Sequence, residues 1–174
     1  MTPALTLLRD KLDVLADLVE SLELELVDDP KWPEPSDMSY LTAKERKDPD
    51  IMSNVDAMLA TNELISWFGR DMEGFLGLWR GPKNTPLEQA PIVRLDSEGQ
   101  YDLVAATIGD YLAISTDADE FDAQREAIVA AGFPVGRTPE AIWEALAGFE
   151  DPNDFRHVLY NEGRKRRGLE AIED

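Results

Sequence analysis

The strongest constraint on the fold is a pair of apolar runs, each interrupted by a short acidic turn that ends in glycine. Residues 67–82 are WFGRDMEGFLGLWRGP, and residues 92–101 are IVRLDSEGQY. Apolar runs joined by a few turn residues with a glycine are typical of β-hairpins, because glycine accepts the positive φ that closes the loop. The sequence therefore predicts an antiparallel meander with strands at about 63–68, 74–80, 91–95 and 100–106.

Consecutive strands of a meander alternate in direction, so we expect both acidic turns at the same end of the sheet. That geometry would bring together four carboxylates: Asp71, Glu73, Asp96 and Glu98. Such a group could perform acid/base chemistry, bind a hard cation or attract a basic partner, whereas acidic residues are also simply common in tight turns. Catalysis is disfavoured because hairpin turns are normally hydrated, which leaves both members of a carboxylate pair ionised.

The segments around the meander are predicted to be mainly helical. Residues 3–27 form one long helix in this prediction, with Thr2 as its cap and leucines at steps of three and four: Leu5, Leu8, Leu12, Leu15, Leu18, Leu22 and Leu26. This stripe either packs on the sheet or forms a homodimer seam. An irregular proline-rich connection over 28–50 follows, with Trp32 and Tyr40 as its anchors, and then a short helix at about 50–60.

The last third of the chain is predicted to hold four helices. They cover 108–115, a segment from Asp119 or Asp122 to Ala131, 139–149, and about 154–167, where Phe155, Val158 and Leu159 face inward. The predicted strands are apolar on both faces, so the sheet needs cover on both sides or carries a groove. Gly77, in mid-strand, indicates that a ring or another backbone approaches there. We therefore expect one α+β domain over 1–174, with an antiparallel sheet of four or more strands, a long N-terminal helix and a C-terminal helical layer.

Charge and composition exclude several kinds of function. Thirty-six acidic and 17 basic residues give a net charge of −19, which disfavours binding to nucleic acid or anionic membranes and favours basic partners. The chain has no cysteine and a single histidine, His157, so neither a thiol nor a typical zinc site is expected. Nucleotide-binding and serine-hydrolase motifs are absent, as are a membrane span and a secretory signal. We expect a cytoplasmic protein without enzymatic activity, metal or cofactor.

The basic cluster at 164–167 lies in the last turn of a predicted helix before Gly168. It is interpreted as a complement to the helix dipole, because phosphate binding conflicts with the −20 carried by residues 1–155.

Three segments within residues 60–115 form a recognisable pattern: WFGRDMEGFLGLW at 67–79, PIVRLDSEGQ at 91–100 and the helix IGDYL at 108–112. This pattern resembles the SUKH superfamily, which contains fungal cell-wall-synthesis regulators and many bacterial immunity proteins. Within the strand–turn and helix pattern, five positions match: Pro91, Ser97, Glu98, Gly99 and Tyr111. The resemblance implies a non-enzymatic α+β domain that binds and neutralises a toxin, often a nuclease, delivered by a neighbouring cell. It carries no catalytic residues.

Our leading prediction is a monomer or weak homodimer that binds a basic toxin domain. Its binding face would consist of the four turn carboxylates together with Trp79 and Tyr101 as apolar anchors. The rival hypothesis is a small-ligand or regulatory scaffold protein with an apolar groove on the sheet, lined by Trp32, Trp67 and Trp79.

Overall fold

The computed structural model describes residues 2–29, 32–115 and 120–172. Its centre is a five-stranded antiparallel sheet in the sequential order β1-β2-β3-β4-β5. The strands are β1 (Glu25–Leu26), β2 (Ile65–Asp71), β3 (Gly74–Trp79), β4 (Ile92–Asp96) and β5 (Tyr101–Ala105). The α+β class and the meander are thereby confirmed.

Seven α-helices are described: α1 (Pro3–Asp10), α2 (Ala16–Ser21), α3 (Pro49–Asn62), α4 (Ile108–Ile114), α5 (Phe121–Ala130), α6 (Pro139–Glu144) and α7 (Pro152–Arg166). Four of these helices begin with a side-chain cap, at Thr2 as predicted and at Thr107, Thr138 and Asp151, each of which accepts a bond from a backbone N–H of the first turn. The alternative start of α5 at Asp119 lies outside the described residues.

The prediction of one helix over 3–27 is wrong. Helix α2 ends in a Schellman motif, in which the Leu24 N–H donates to the Val19 carbonyl at 3.0 Å and the Glu23 N–H donates to the Glu20 carbonyl at 3.1 Å. Glu23 occupies the left-handed position of this motif, at φ 49°, which is normally taken by glycine. The reversal sends the following residues into β1, which pairs with Gly69 and Arg70 of β2.

The sheet is covered on both faces, as its apolar strands predicted. One face packs against α1, α2, α4, α5 and α6, and the leucines of the N-terminal stripe lie in this core: Leu5, Leu8, Leu15, Leu18 and Leu22 are all buried. The leucine stripe therefore packs on the sheet and does not form a homodimer seam. The other face carries Trp67, Trp79 and Tyr101 and lies beneath α7 and the 28–50 connection.

The predicted C-terminal helical layer is divided between the two faces of the sheet. Helices α4, α5 and α6 lie on one face, whereas α7 lies on the other and packs closely on α3. Gly163 of α7 lies against Ser53, where an added Cβ would be 3.2 Å from the Ser53 Cβ. Two arginines of the basic cluster form ion pairs across this contact, Arg164 with Asp50 and Arg167 with Asp56. The cluster therefore neutralises acidic residues of α3. Val158, predicted to face inward, is exposed.

The N-terminus of α7 also covers the outer edge of the sheet. The Asn153 side chain accepts a hydrogen bond from the Tyr101 N–H at 3.1 Å and donates its Nδ2–H to the Tyr101 carbonyl. Arg156, one turn later, donates to the Gly99 carbonyl. These contacts fasten the 96–99 turn to the helix and satisfy backbone groups of β5 that would otherwise remain open.

Candidate functional site

The strand register brings the two acidic turns together. Gly74, at the end of the first turn, is paired with Asp96, at the start of the second. The prediction that both turns lie at one end of the sheet is therefore confirmed. We call this end, formed by residues 71–74 and 96–99, the acidic rim.

The four carboxylates of the acidic rim have different environments. The Asp71 side chain is only 2% exposed, whereas that of Glu73 is 59% exposed. Asp96 uses Oδ1 to accept bonds from the Glu98 and Gln100 N–H groups at 2.8 Å, which shapes its turn. Glu98 is exposed. Glu73 and Glu98 are therefore the carboxylates best placed to meet a partner.

Asp71 is the centre of a buried polar network. Its Oδ1 accepts the N–H groups of Glu73 and Gly74, both at 2.9 Å. Its Oδ2 accepts Nη2 of Arg94 at 2.6 Å, Nε of Arg94 at 3.2 Å and the Tyr111 hydroxyl at 2.8 Å. Five donors thus converge on one carboxylate, so the role of Asp71 is to hold the hairpin turn and the helix α4 together.

Arg94 connects this network to the surface. Its guanidinium also forms an ion pair with Glu73, and its side chain is 15% exposed. Burial by itself lowers the pKa of Arg94, but the bonds to Asp71 and the charge of Glu73 raise that pKa overall, so the guanidinium stays charged. Burial, reinforced by the neighbouring Asp71 charge, raises the pKa of the Tyr111 hydroxyl, which therefore remains a donor. Two carboxylates surround one guanidinium, which leaves the group at a net charge of −1.

Neither predicted apolar anchor is available to a partner. Trp79 is buried, donates its Nε1–H to the Glu150 carbonyl at 2.9 Å and packs edge-on against Phe155. Tyr101 is fully buried, and its hydroxyl donates to the Asn62 side chain at 2.7 Å. The prediction that Trp79 and Tyr101 anchor a partner is therefore wrong. Both are core residues, because they project from the face of the sheet that α7 covers.

The predicted groove of three tryptophans is filled by the protein's own side chains. Trp32 packs edge-on against Phe75, with ring centroids 5.1 Å apart, and Trp67 contacts the same ring at 6.5 Å. Trp32 thus anchors the 28–50 connection as predicted, whereas Tyr40 is exposed. The Trp67 Nε1 is buried and has no hydrogen-bond partner among the described residues.

A cleft that the sequence did not predict opens beside the acidic rim, on the face of the sheet covered by α4 and α6. Its volume is about 590 Å³, including space that is open to solvent, and we call it the rim cleft. Its lining comprises Leu22, Asp71, Met72, Glu73, Arg94, Val104, Ile114, Ser115 and Trp143. Met72 and Trp143 stand on its edges and are 62% and 53% exposed.

One signal in the sequence could have indicated this cleft. Arg94 interrupts the apolar strand IVRLD, and an isolated arginine in such a strand indicates a nearby carboxylate. Nothing in the sequence marked Met72 or Trp143, because their proximity depends on how α6 packs beside the hairpin.

Other kinds of site find little support in the described residues. No group of three or more residues among 2–29, 32–115 and 120–172 is arranged to hold a metal ion. His157 lies on α7 with its Nε2 2.7 Å from the Asn161 Nδ2. Within the described part of the chain, none of the helices is both long enough and apolar enough to cross a membrane.

Comparison of the chain with protein-family models, with curated proteins and with solved structures finds no match.

Proposed function

We propose that this chain is a non-enzymatic protein-binding module that uses the acidic rim to bind a basic protein. The observation that carries the proposal is the pairing of Gly74 with Asp96, which places the exposed Glu73 and Glu98 on one surface. With a net charge of −19, long-range attraction would accelerate encounter with a cationic partner and orient it.

The partner we propose is a toxin domain delivered by a neighbouring bacterial cell, with this chain as its cytoplasmic immunity protein. The resemblance of residues 60–115 to the SUKH superfamily supports this assignment. Chemistry supports it as well, because the active face of a nuclease is basic where it holds phosphates, and an acidic protein can cover such a face.

The test is capture of partners from the native lysate by the immobilised chain, followed by affinity measurements on the captured protein. We expect a basic protein whose association rate falls steeply as salt is raised, because screening shortens the reach of surface charge. Failure to capture any basic protein would contradict the proposed function.

A charge-reversal pair locates the binding face. Glu73→Lys with Glu98→Lys should weaken binding by at least about tenfold, since two attractive contacts become repulsive. The matched control is Glu63→Lys with Glu88→Lys, which makes the same change in net charge at exposed positions in the loops at the opposite end of the sheet. Equal weakening by the two double variants would show that binding depends on the net charge of the protein and not on the acidic rim.

The second candidate function, binding of a small apolar molecule, is favoured by a different feature. Two adjoining clefts, of about 580 and 710 Å³ including space that is open to solvent, lie beneath the start of α1 and share Thr2, Leu78 and Leu87 in their linings. Native mass spectrometry of the purified chain tests this candidate, since a ligand that copurifies adds a defined mass. A Leu78→Trp variant should exclude such a ligand, and unchanged retention would place it elsewhere.

A further inference from the structure

The rim cleft combines exposed apolar side chains with surplus negative charge. Met72 lies in the hairpin turn and Trp143 on α6, and both line the cleft although 71 residues separate them in the chain. Trp143 is the one tryptophan among the exposed large hydrophobic residues of the described chain. An exposed tryptophan next to a concave surface is typical of the anchor of a protein–protein interface.

The charges around the cleft select the kind of residue that fits. Inside it, Asp71 and Glu73 outnumber Arg94 by one charge. Glu140 precedes Trp143 by three residues on α6, which places the two side chains on the same side of the helix. A backbone hydrogen bond and one from Thr138 lower the pKa of Glu140, which is therefore ionised at neutral pH. A cation entering the cleft meets carboxylates and the face of an indole ring, which itself attracts cations.

We propose that the rim cleft receives a basic segment of the partner, with an apolar side chain between Met72 and Trp143 and an adjacent arginine or lysine over the Trp143 ring. This inference rests on the proposed function and extends its contact surface from the acidic rim, with which the cleft shares Asp71, Met72 and Glu73, to Trp143 on α6. The apolar side chain displaces water from Met72, while the cation is shared by the indole ring and the carboxylates.

Short peptides test the cleft without knowledge of the partner. The probe is acetyl-Arg-Leu-Arg-amide, and the controls are acetyl-Arg-Gly-Arg-amide and acetyl-Glu-Leu-Glu-amide. The indole ¹⁵N–H signals are followed by NMR, with Trp143→Phe to assign the signal of Trp143. We expect Arg-Leu-Arg to shift this signal saturably, Arg-Gly-Arg to bind at least about fivefold more weakly, and Glu-Leu-Glu to have no effect.

Two exposed substitutions provide the matched comparison. Met72→Ala should weaken Arg-Leu-Arg binding by about threefold to tenfold, whereas Val158→Ala, at a 57% exposed position on α7, should leave it unchanged. Equal binding of Arg-Leu-Arg and Arg-Gly-Arg, no shift at Trp143, or an unaffected Met72→Ala variant would overturn the inference. So would a Trp143 shift that follows protein concentration alone, since a second copy of the chain would then occupy the cleft.

The peptide experiment separates this inference from the proposed function. If the peptide shifts Trp143 but the lysate yields no basic protein, the cleft is a cation site and the proposed function fails. If a basic protein is captured equally by the wild type and by Trp143→Ala, and the peptide leaves Trp143 unchanged, the inference fails while the acidic rim stands.

Discussion

The buried network around Asp71 makes a quantitative prediction about stability. Asp71→Asn preserves the shape of the side chain and the oxygen that accepts the Glu73 and Gly74 N–H groups. The new amide nitrogen faces the donors of Arg94 and Tyr111, to which it cannot serve as an acceptor. The variant therefore loses the contacts to Arg94 and Tyr111 and keeps the hydrogen bonds that form the turn.

The expected cost follows from the partners that remain. Removing one member of a buried ion pair typically costs about 3–5 kcal/mol. Arg94 retains Glu73 and is 15% exposed, so we expect the lower end of that range, about 3 kcal/mol. For a chain of 174 residues, this corresponds to a decrease in Tm of about 6–12 °C.

The assay is urea denaturation followed by far-ultraviolet circular dichroism, with Asp96→Asn as the matched control. Asp96 occupies the equivalent position of the second turn and accepts backbone N–H groups, which asparagine also does. We expect that control to change the free energy of unfolding by less than about 0.5 kcal/mol. Costs within about 1 kcal/mol of each other would refute the reasoning, because the Arg94 contact would then contribute little.

Three further predictions concern the packing, the chain reversal and the buried tyrosines. Gly77→Ala should destabilise by about 1–3 kcal/mol, because a Cβ there overlaps the Cγ2 methyl of Ile65; urea denaturation measures it. Glu23→Gly should stabilise the protein by about 0.5–1 kcal/mol in the same assay. The backbone strain of a glutamate at a φ of 49° costs more free energy than the extra conformational entropy that a glycine loses on folding. Burial raises the pKa of Tyr101 and of Tyr111, so the stability that both provide is fully present below pH 10.0, the ordinary tyrosine value. Above that pH the unfolded chain ionises first, and the free energy of unfolding should fall by roughly 1.4 kcal/mol per pH unit for each tyrosine.

Each of these predictions has an internal control. Gly148→Ala should be harmless, because a Cβ at that position has no heavy atom within 4 Å. Glu20→Gly, within α2, should destabilise by about 1 kcal/mol and so show the opposite sign to Glu23→Gly. Tyr111→Phe should reduce the alkaline slope by roughly 1.4 kcal/mol per pH unit, the contribution of one tyrosine. Destabilisation by Gly148→Ala equal to that by Gly77→Ala, a loss of stability in Glu23→Gly or an unchanged slope in Tyr111→Phe would contradict the corresponding argument.

The meander could be predicted because its determinants are local. The turns at 71–74 and 96–99 carry their own Asx hydrogen bonds and, at Gly99, the positive φ that glycine supplies. The caps at Thr107 and Asp151 are equally local, so their helices begin where expected. Gly77 was correctly interpreted as a close approach, since Ile65 and Trp67 fill the space above it.

The errors arise where tertiary structure overrides a local pattern. The leucine periodicity of residues 3–27 continues through two helices and a turn, because burial against the sheet requires the spacing and not an unbroken helix. β1 forms only because Gly69 and Arg70 offer it an edge. Trp79 and Tyr101 are attractive anchors in sequence, but which face of β3 and β5 would be covered depended on the position of α7. The rim cleft has the same origin, since it joins segments that are distant in the chain.

The Asn153 side chain occupies both backbone groups of Tyr101, where a sixth strand would have to attach. At the opposite margin, β1 offers only two residues. An extended peptide therefore cannot pair with β5 at Tyr101, and β1 gives it a ladder of only two residues, so β-augmentation is disfavoured for this sheet. Recognition by side chains at the strand ends is the alternative, and substitutions there can change specificity without disturbing the sheet's hydrogen bonds.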